Sequence, residues 1–205
     1  MALIRKSSGT HDEFFRGQHR FEHWYKDNQV YFITTRCRDR FPAFASEQAK
    51  QVFWDRFEHH TSRFQFTPWV TSLLDNHYHV LGYCKHGEAF GEMMRCIHGS
   101  VAKLVNDVLD VRRTPFWRDV GTSKDYFDGC IRDVLQCSRA YRYTLLQSVR
   151  HGICLDYRDY PHTRVRVEME RGIKRAAELR AFLEGVPYKR YERERRAQFH
   201  GRACG

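Results

Sequence analysis

Three observations predict an α+β fold for this chain. Short β-branched and aromatic runs alternate with longer stretches whose apolar residues recur at helical spacing. Two of the short runs are separated only by the turn signal Asp75-Asn76, which joins them as an antiparallel hairpin. The elements read in the order β-α-β-β-α-β-α. The first six follow the split βαβ, ferredoxin-like pattern of an antiparallel sheet, and one further helix follows at the C-terminal side.

Each element has its own signal. VYFITTRC (30–37) is a strand by composition. In FASEQAKQVFWDRFEHH (44–60), Ser46 can cap a helix on which Ala49, Val52, Phe53 and Phe57 share a face. FTPWVTSLL (66–74) and HYHVLGYC (77–84) are the hairpin strands. Phe90, Met93, Met94, Ile97, Val101, Leu104, Val105 and Val108 mark a long amphipathic helix, whose Met and Leu stripe is core. RRTPFWRDV (112–120) is the expected fourth strand. The last helix runs from an N-cap at Asp133 to Val149, with Gly152 just past its end. The domain therefore spans 28–162, between a polar arm at 1–27 and a basic tail at 163–205. That tail holds twelve Lys/Arg against six Asp/Glu and is expected to be partly helical.

Composition narrows the function classes. The 205 residues are 41% hydrophobic and 15% aromatic, enough for one well-formed core. A net charge of +10 points to a polyanionic partner, most simply nucleic acid. The seven cysteines form no C-x-x-C pair, which argues for reduced thiols in a cytoplasmic setting over a disulfide frame or zinc knuckle. No apolar run is long enough to span a membrane, and the first 27 residues do not read as a secretion signal.

His77 and His79 alternate on one strand, so both imidazoles project from the same sheet face. Taken alone, the pair reads first as half-buried strand histidines bonded to neighbours. A divalent cation there needs at least one more ligand from another element. On a helical wheel of the last helix, Ile131, Val134, Leu135, Ser138, Tyr141, Leu145, Leu146 and Val149 fall on one mostly apolar side. Tyr141 is the expected core tyrosine. Tyr143 and Gln147, at i and i+4, lie on the opposite side and share a face.

These features together resemble the HUH single-tyrosine transposases, in particular the REP-associated tyrosine transposases. The family's opening strand ends in T-x-R, here Thr34-Thr35-Arg36. Its core motif is a turn followed by Asn-His-hydrophobic-His-hydrophobic, here Asn76-His77-Tyr78-His79-Val80. A long helix containing methionine follows, here with Met93 and Met94, and then a tryptophan, here Trp117, with Tyr126-Phe127-Asp128 downstream. The family's catalytic helix, Tyr-Ile-x-x-Asn-Pro-Val-Arg-Ala-Gly-Leu, is matched in register from Tyr143 to Ile153. Gln147-Ser148 replaces Asn-Pro, and His151 stands where alanine is usual. Without the proline, nothing blocks the next helical turn.

The resemblance implies a metal-dependent transposase that nicks and rejoins single-stranded DNA through a 5′-phosphotyrosine. His77, His79 and Gln147 would bind Mg²⁺ or Mn²⁺, although two imidazoles also suit zinc. Tyr143 would be the nucleophile. The DNA would contain a hairpin beside a short single strand, bound by a monomer or a homodimer. Arg36, Arg38, Arg139 and Arg150 become phosphate-contact candidates, and Trp117 a base-stacking platform. The rival readings are a replication or conjugation nickase, a small zinc protein, and a domesticated, non-catalytic nucleic-acid-binding protein of the same fold.

Overall fold

A computed structural model describes residues 26–117 and 125–182. Five strands form one sheet in the order β4-β1-β3-β2-β5, with every neighbouring pair antiparallel. They are β1 (Gln29–Arg36), β2 (Phe66–Leu73), β3 (His77–Cys84), β4 (Tyr126–Cys130) and β5 (Thr163–Val165). The first four are arranged as the ferredoxin-like pattern requires, and β5 extends the sheet beyond β2.

Two helices cover one face: α1 (Glu47–Arg63) and α2 (Phe90–Asn106). The Ser46 hydroxyl accepts the Ala49 N–H and starts α1 as expected. Phe53 and Phe57 of α1 and Met93, Met94 and Ile97 of α2 meet Ile33, Tyr78 and Val80 of the sheet. On the opposite face lie α3 (Val134–Leu145), a short α4 (Gln147–Arg150) and α5 (Met169–Glu178). There Cys137, Tyr141 and Ala176 pack with Val30, Trp69, Leu81 and Tyr83. Both faces are covered, so β3 is buried along its whole length. Alternation along β3 sends Tyr78 and Val80 to the first core. His77 and His79 share the second face with Leu81 and Tyr83, at the end of that face which hydrophobic packing leaves open.

The structure departs from the sequence expectations in four places. The fourth strand is 126–130, paired with β1, and not 112–120. The apolar signal around Phe116-Trp117 is a core anchor: Trp117 makes a single bridge to Cys37, and its indole N–H donates to the His98 carbonyl at 2.9 Å. Residues 118–120 of that expected strand lie outside the described residues.

The second departure concerns α3. Asp133 caps it by accepting the Gln136 N–H at 2.7 Å, as expected. Its buried stripe, however, is Cys137, Tyr141 and Thr144. Val134, Leu135 (58% exposed) and Leu146, which the wheel placed on the core side, face outward. Thr144 returns its hydroxyl to the Ala140 carbonyl and Tyr141 donates to the Val167 carbonyl, so both polar groups are satisfied inside.

Third, α3 does not run on to Val149. Leu146 leaves helical geometry (φ −94°, ψ 14°), and the chain resumes as α4, ending before Gly152 at φ +68°. Fourth, the basic stretch from 163 opens with a strand, β5, that joins the sheet before the helix α5. Gly172 permits this docking, because a Cβ there would lie 2.8 Å from the Trp69 ring. Arg164 and Arg166 both reach Glu58 on α1, and Trp54 donates to His162 Nδ1 at 3.0 Å. Residues 183–205 and 1–25 of the expected tail and arm are outside the described residues.

Candidate active site

The open end of the second face is a cleft of about 620 Å³. Three segments build it. From β1 come Phe32, Thr34 and Arg36, alternate residues on one face; from β3 come His77 and His79; from the end of α3 and from α4 come Tyr143 and Gln147, with His151 just beyond. The register places Thr34 opposite His79 and Arg36 opposite His77. Arg40, Asn76 and Phe127 complete the lining.

The imidazoles are oriented by their neighbours. Asn76 Oδ1 lies 2.6 Å from His77 Nδ1, while the same amide donates from Nδ2 to the Arg40 carbonyl at 3.0 Å. That fixes the amide orientation, so His77 Nδ1 carries the proton and its Nε2 is left with a lone pair. His79 Nδ1 lies 2.7 Å from the Thr34 hydroxyl. Burial, aided by the charges of His151 and Arg36, holds the His77 pKa down to about 4. Burial, then the neighbouring His77, Arg36, His151 and Arg150, holds His79 down to about 3. Both rings are neutral near pH 7, the form that ligates a cation.

The break at Leu146 decides where Gln147 points. Its side chain is only 2% exposed, although the wheel left it on the outer side. Nε2 donates to the Tyr143 carbonyl at 2.8 Å, and Gln147 lines the cleft together with His77. With Nε2 directed at its own helix, Oε1 is the Gln147 atom left over as a donor to a cation. Tyr143 stays at the mouth, 39% exposed. Its ring meets His79 edge-on at 5.2 Å and Phe32 at 5.9 Å, and the Arg150 guanidinium lies 4.9 Å from its centre.

The donor set suits a divalent cation. Among the described residues, no group of three His, Cys, Asp or Glu side chains is placed to hold a metal. The amide oxygen of Gln147, in the same lining, could serve as a third protein donor beside the two imidazoles. Two neutral imidazoles and one amide oxygen, beside an open cleft, leave room for water or phosphate oxygens.

The remaining sequence candidates divide. Arg36 lines the cleft and Arg150 covers Tyr143. Arg38 lies in a neighbouring depression. Arg139 is exposed one helical turn before Tyr143 but does not line the cleft. Trp117 is corrected outright: it is 4% exposed, stacked on His98 at 4.7 Å and packed against Phe44 and Phe116, so neither ring face is open to a base. Sequence reasoning gave no site role to Phe32, Thr34, Asn76, Phe127 or Arg40. The alternation Phe32-Thr34-Arg36 was the available signal, but its meaning depends on the pairing of β1 with β3.

No family model and no curated protein matches the chain. Among solved structures, the REP-associated tyrosine transposase bound to a REP hairpin aligns with a TM-score of 0.61 at 17% identity. That alignment covers 75% of this chain and 86% of the other. An inferred transposase of Deinococcus radiodurans aligns at TM-score 0.42 and 10% identity, over 60% of this chain and 93% of its own, too distant a likeness to argue from. The chain thus has the fold of the REP-associated tyrosine transposase, as the sequence resemblance implied. Among the described residues, no helix is long and apolar enough to cross a membrane.

Proposed function

We propose that this protein is a metal-dependent single-strand DNA transferase of the tyrosine transposase type. The observation that carries the reading is the Tyr143 ring standing 5.2 Å from His79, in the cleft where His77 and Gln147 also converge. The solved structure of similar fold is bound to a REP hairpin, which supports DNA containing a hairpin as the partner here.

His77, His79 and Gln147 would hold Mg²⁺ or Mn²⁺, which when bound polarises the scissile phosphate and offsets its developing negative charge. The chain's own residues supply the rest. Asn76 and Thr34 fix the two rings. Arg36 lines the cleft and Arg150 lies over Tyr143, so both cations can position a phosphodiester. Tyr143 Oη attacks phosphorus; a Tyr–O–P bond forms as the P–O3′ bond breaks. The phenol proton passes to solvent water, and the departing 3′ oxygen takes a proton from it. A phosphodiester is exchanged for a phosphodiester, so the reverse attack by a 3′-hydroxyl rejoins DNA without ATP.

Covalent capture tests this. The protein is mixed with labelled single-stranded hairpin oligonucleotides and Mn²⁺ and resolved on a denaturing gel. A shifted band that requires metal and is absent in Tyr143→Phe and His77→Ala is the expected result. Binding without a band, across varied flanking sequences, would favour a DNA-binding protein without strand transfer.

A further inference from the structure

Arg40 belongs to two depressions. It lines the Tyr143 cleft and also a second one of about 470 Å³, walled by residues 38–43 and 113–116. The loop in the first wall is built at a conformational cost. Asp39 and Arg40 both sit at φ 55°, a left-handed geometry that is unfavourable for a residue with a Cβ. Three backbone bonds hold it: Arg40 N–H to Cys37 O at 3.1 Å, Phe41 N–H to Arg38 O at 3.0 Å, and Arg38 N–H to Phe116 O at 2.9 Å. Asn76, which orients His77, also pins the Arg40 carbonyl at 3.0 Å.

The opposite wall is clamped as well. Arg113 donates its N–H to Asn106 Oδ1 at 2.7 Å and accepts from Asn106 Nδ2 at 3.0 Å. Its guanidinium lies 4.0 Å from the Phe41 ring centre. Arg38, Arg40 and Arg113 thus converge on one depression, where the one carboxylate, Asp39, pairs with Arg38 at 3.4 Å. Among the described residues, neither Arg40 nor Arg113 has a carboxylate partner. Guanidinium groups held on a strained and clamped frame repel one another unless an anion lies between them, and their planar donors match phosphate oxygens.

We infer that this depression is a second DNA subsite, which holds phosphodiester groups of the strand flanking the bond attacked by Tyr143. Arg40 is the wall common to both sites and passes the strand from one to the other. Phe41 is covered by Arg113, so the subsite grips backbone and does not stack a base; its contribution is independent of sequence. This inference rests on the single-strand reading of the Tyr143 cleft, and the two are tested separately.

The experiment is fluorescence anisotropy with single-stranded oligonucleotides that are lengthened one nucleotide at a time on either side of the captured bond, over a salt series. Wild-type protein is expected to gain affinity on lengthening one side. Arg38→Ala and Arg113→Ala lose that gain, each binding about tenfold more weakly. Each also lowers the slope of log affinity against log salt by about 0.7. The loss is the same for unrelated flanking sequences. Lys103→Ala, the same charge change on the exposed face of α2, keeps the wild-type curve. Wild-type affinity and salt slope in both arginine variants, with Tyr143 capture intact in the wild type, would overturn the subsite alone. Arginine-dependent binding without any capture would support the subsite and overturn the strand-transfer reading.

Discussion

His98→Gln is expected to change how the fold responds to acid. The His98 ring is enclosed between the sheet and α2, stacked on Trp117 at 4.7 Å, with Nε2 3.0 Å from the Tyr78 hydroxyl. Tyr78 is the residue between the two site histidines and points to the opposite face. Burial pushes the His98 pKa down to about 3. An unfolded histidine protonates near pH 6.5, so between those two values the unfolded chain binds one more proton than the folded one. Stability then falls as pH falls through that window. From pH 7 to pH 5 the loss from this one group is about 2 kcal/mol. Glutamine keeps a polar side chain and does not titrate. Urea unfolding followed by tryptophan fluorescence, at pH 7, 6 and 5, measures both proteins. The other buried histidines contribute equally and cancel, so the wild-type advantage over the variant should shrink by about 2 kcal/mol at pH 5. Parallel pH curves would refute the reasoning, since His98 would then titrate alike in both states.

Other substitutions separate core from site. Trp117→Ala should destabilise the fold by about 3–5 kcal/mol in thermal unfolding, while the folded fraction keeps wild-type affinity for single-stranded DNA. Gly172→Val drives a side chain into Trp69 and should cost about 1–3 kcal/mol, with earlier proteolytic cleavage around α5 as the readout. Asn76→Ala removes the acceptor on His77 Nδ1 and should weaken Mn²⁺ binding by about 10–100-fold in calorimetry; Asn76→Asp, which keeps the acceptor, should restore part of it.

The parts that were legible from sequence are those set by local chemistry. The Ser46 and Asp133 caps, the 77–84 strand and the shared face of His77 and His79 depend only on short-range pattern, and all stand in the structure. What escaped depends on partners distant in the chain. The DYFDGC stretch is weak strand material, and β1 recruits Tyr126–Cys130 from it by pairing, whereas the stronger apolar signal at Trp117 serves the core. The inward turn of Gln147 follows from a break at Leu146 that no proline announces. Thr34 and Asn76 acquire roles only when β1 and β3 are in register. The charge of the 163–182 stretch hid a strand whose Arg164, with Arg166 just beyond it, is bound by Glu58.

The most direct measurement of the central claim is peptide mapping of the captured DNA adduct. Trypsin cuts after Arg142 and Arg150, which isolates Tyr143–Arg150 with a single tyrosine. After nuclease digestion, mass spectrometry should find this peptide carrying a nucleotide joined through its 5′-phosphate to Tyr143. An adduct on any other peptide, or none in a metal-loaded reaction that binds DNA, would contradict the account.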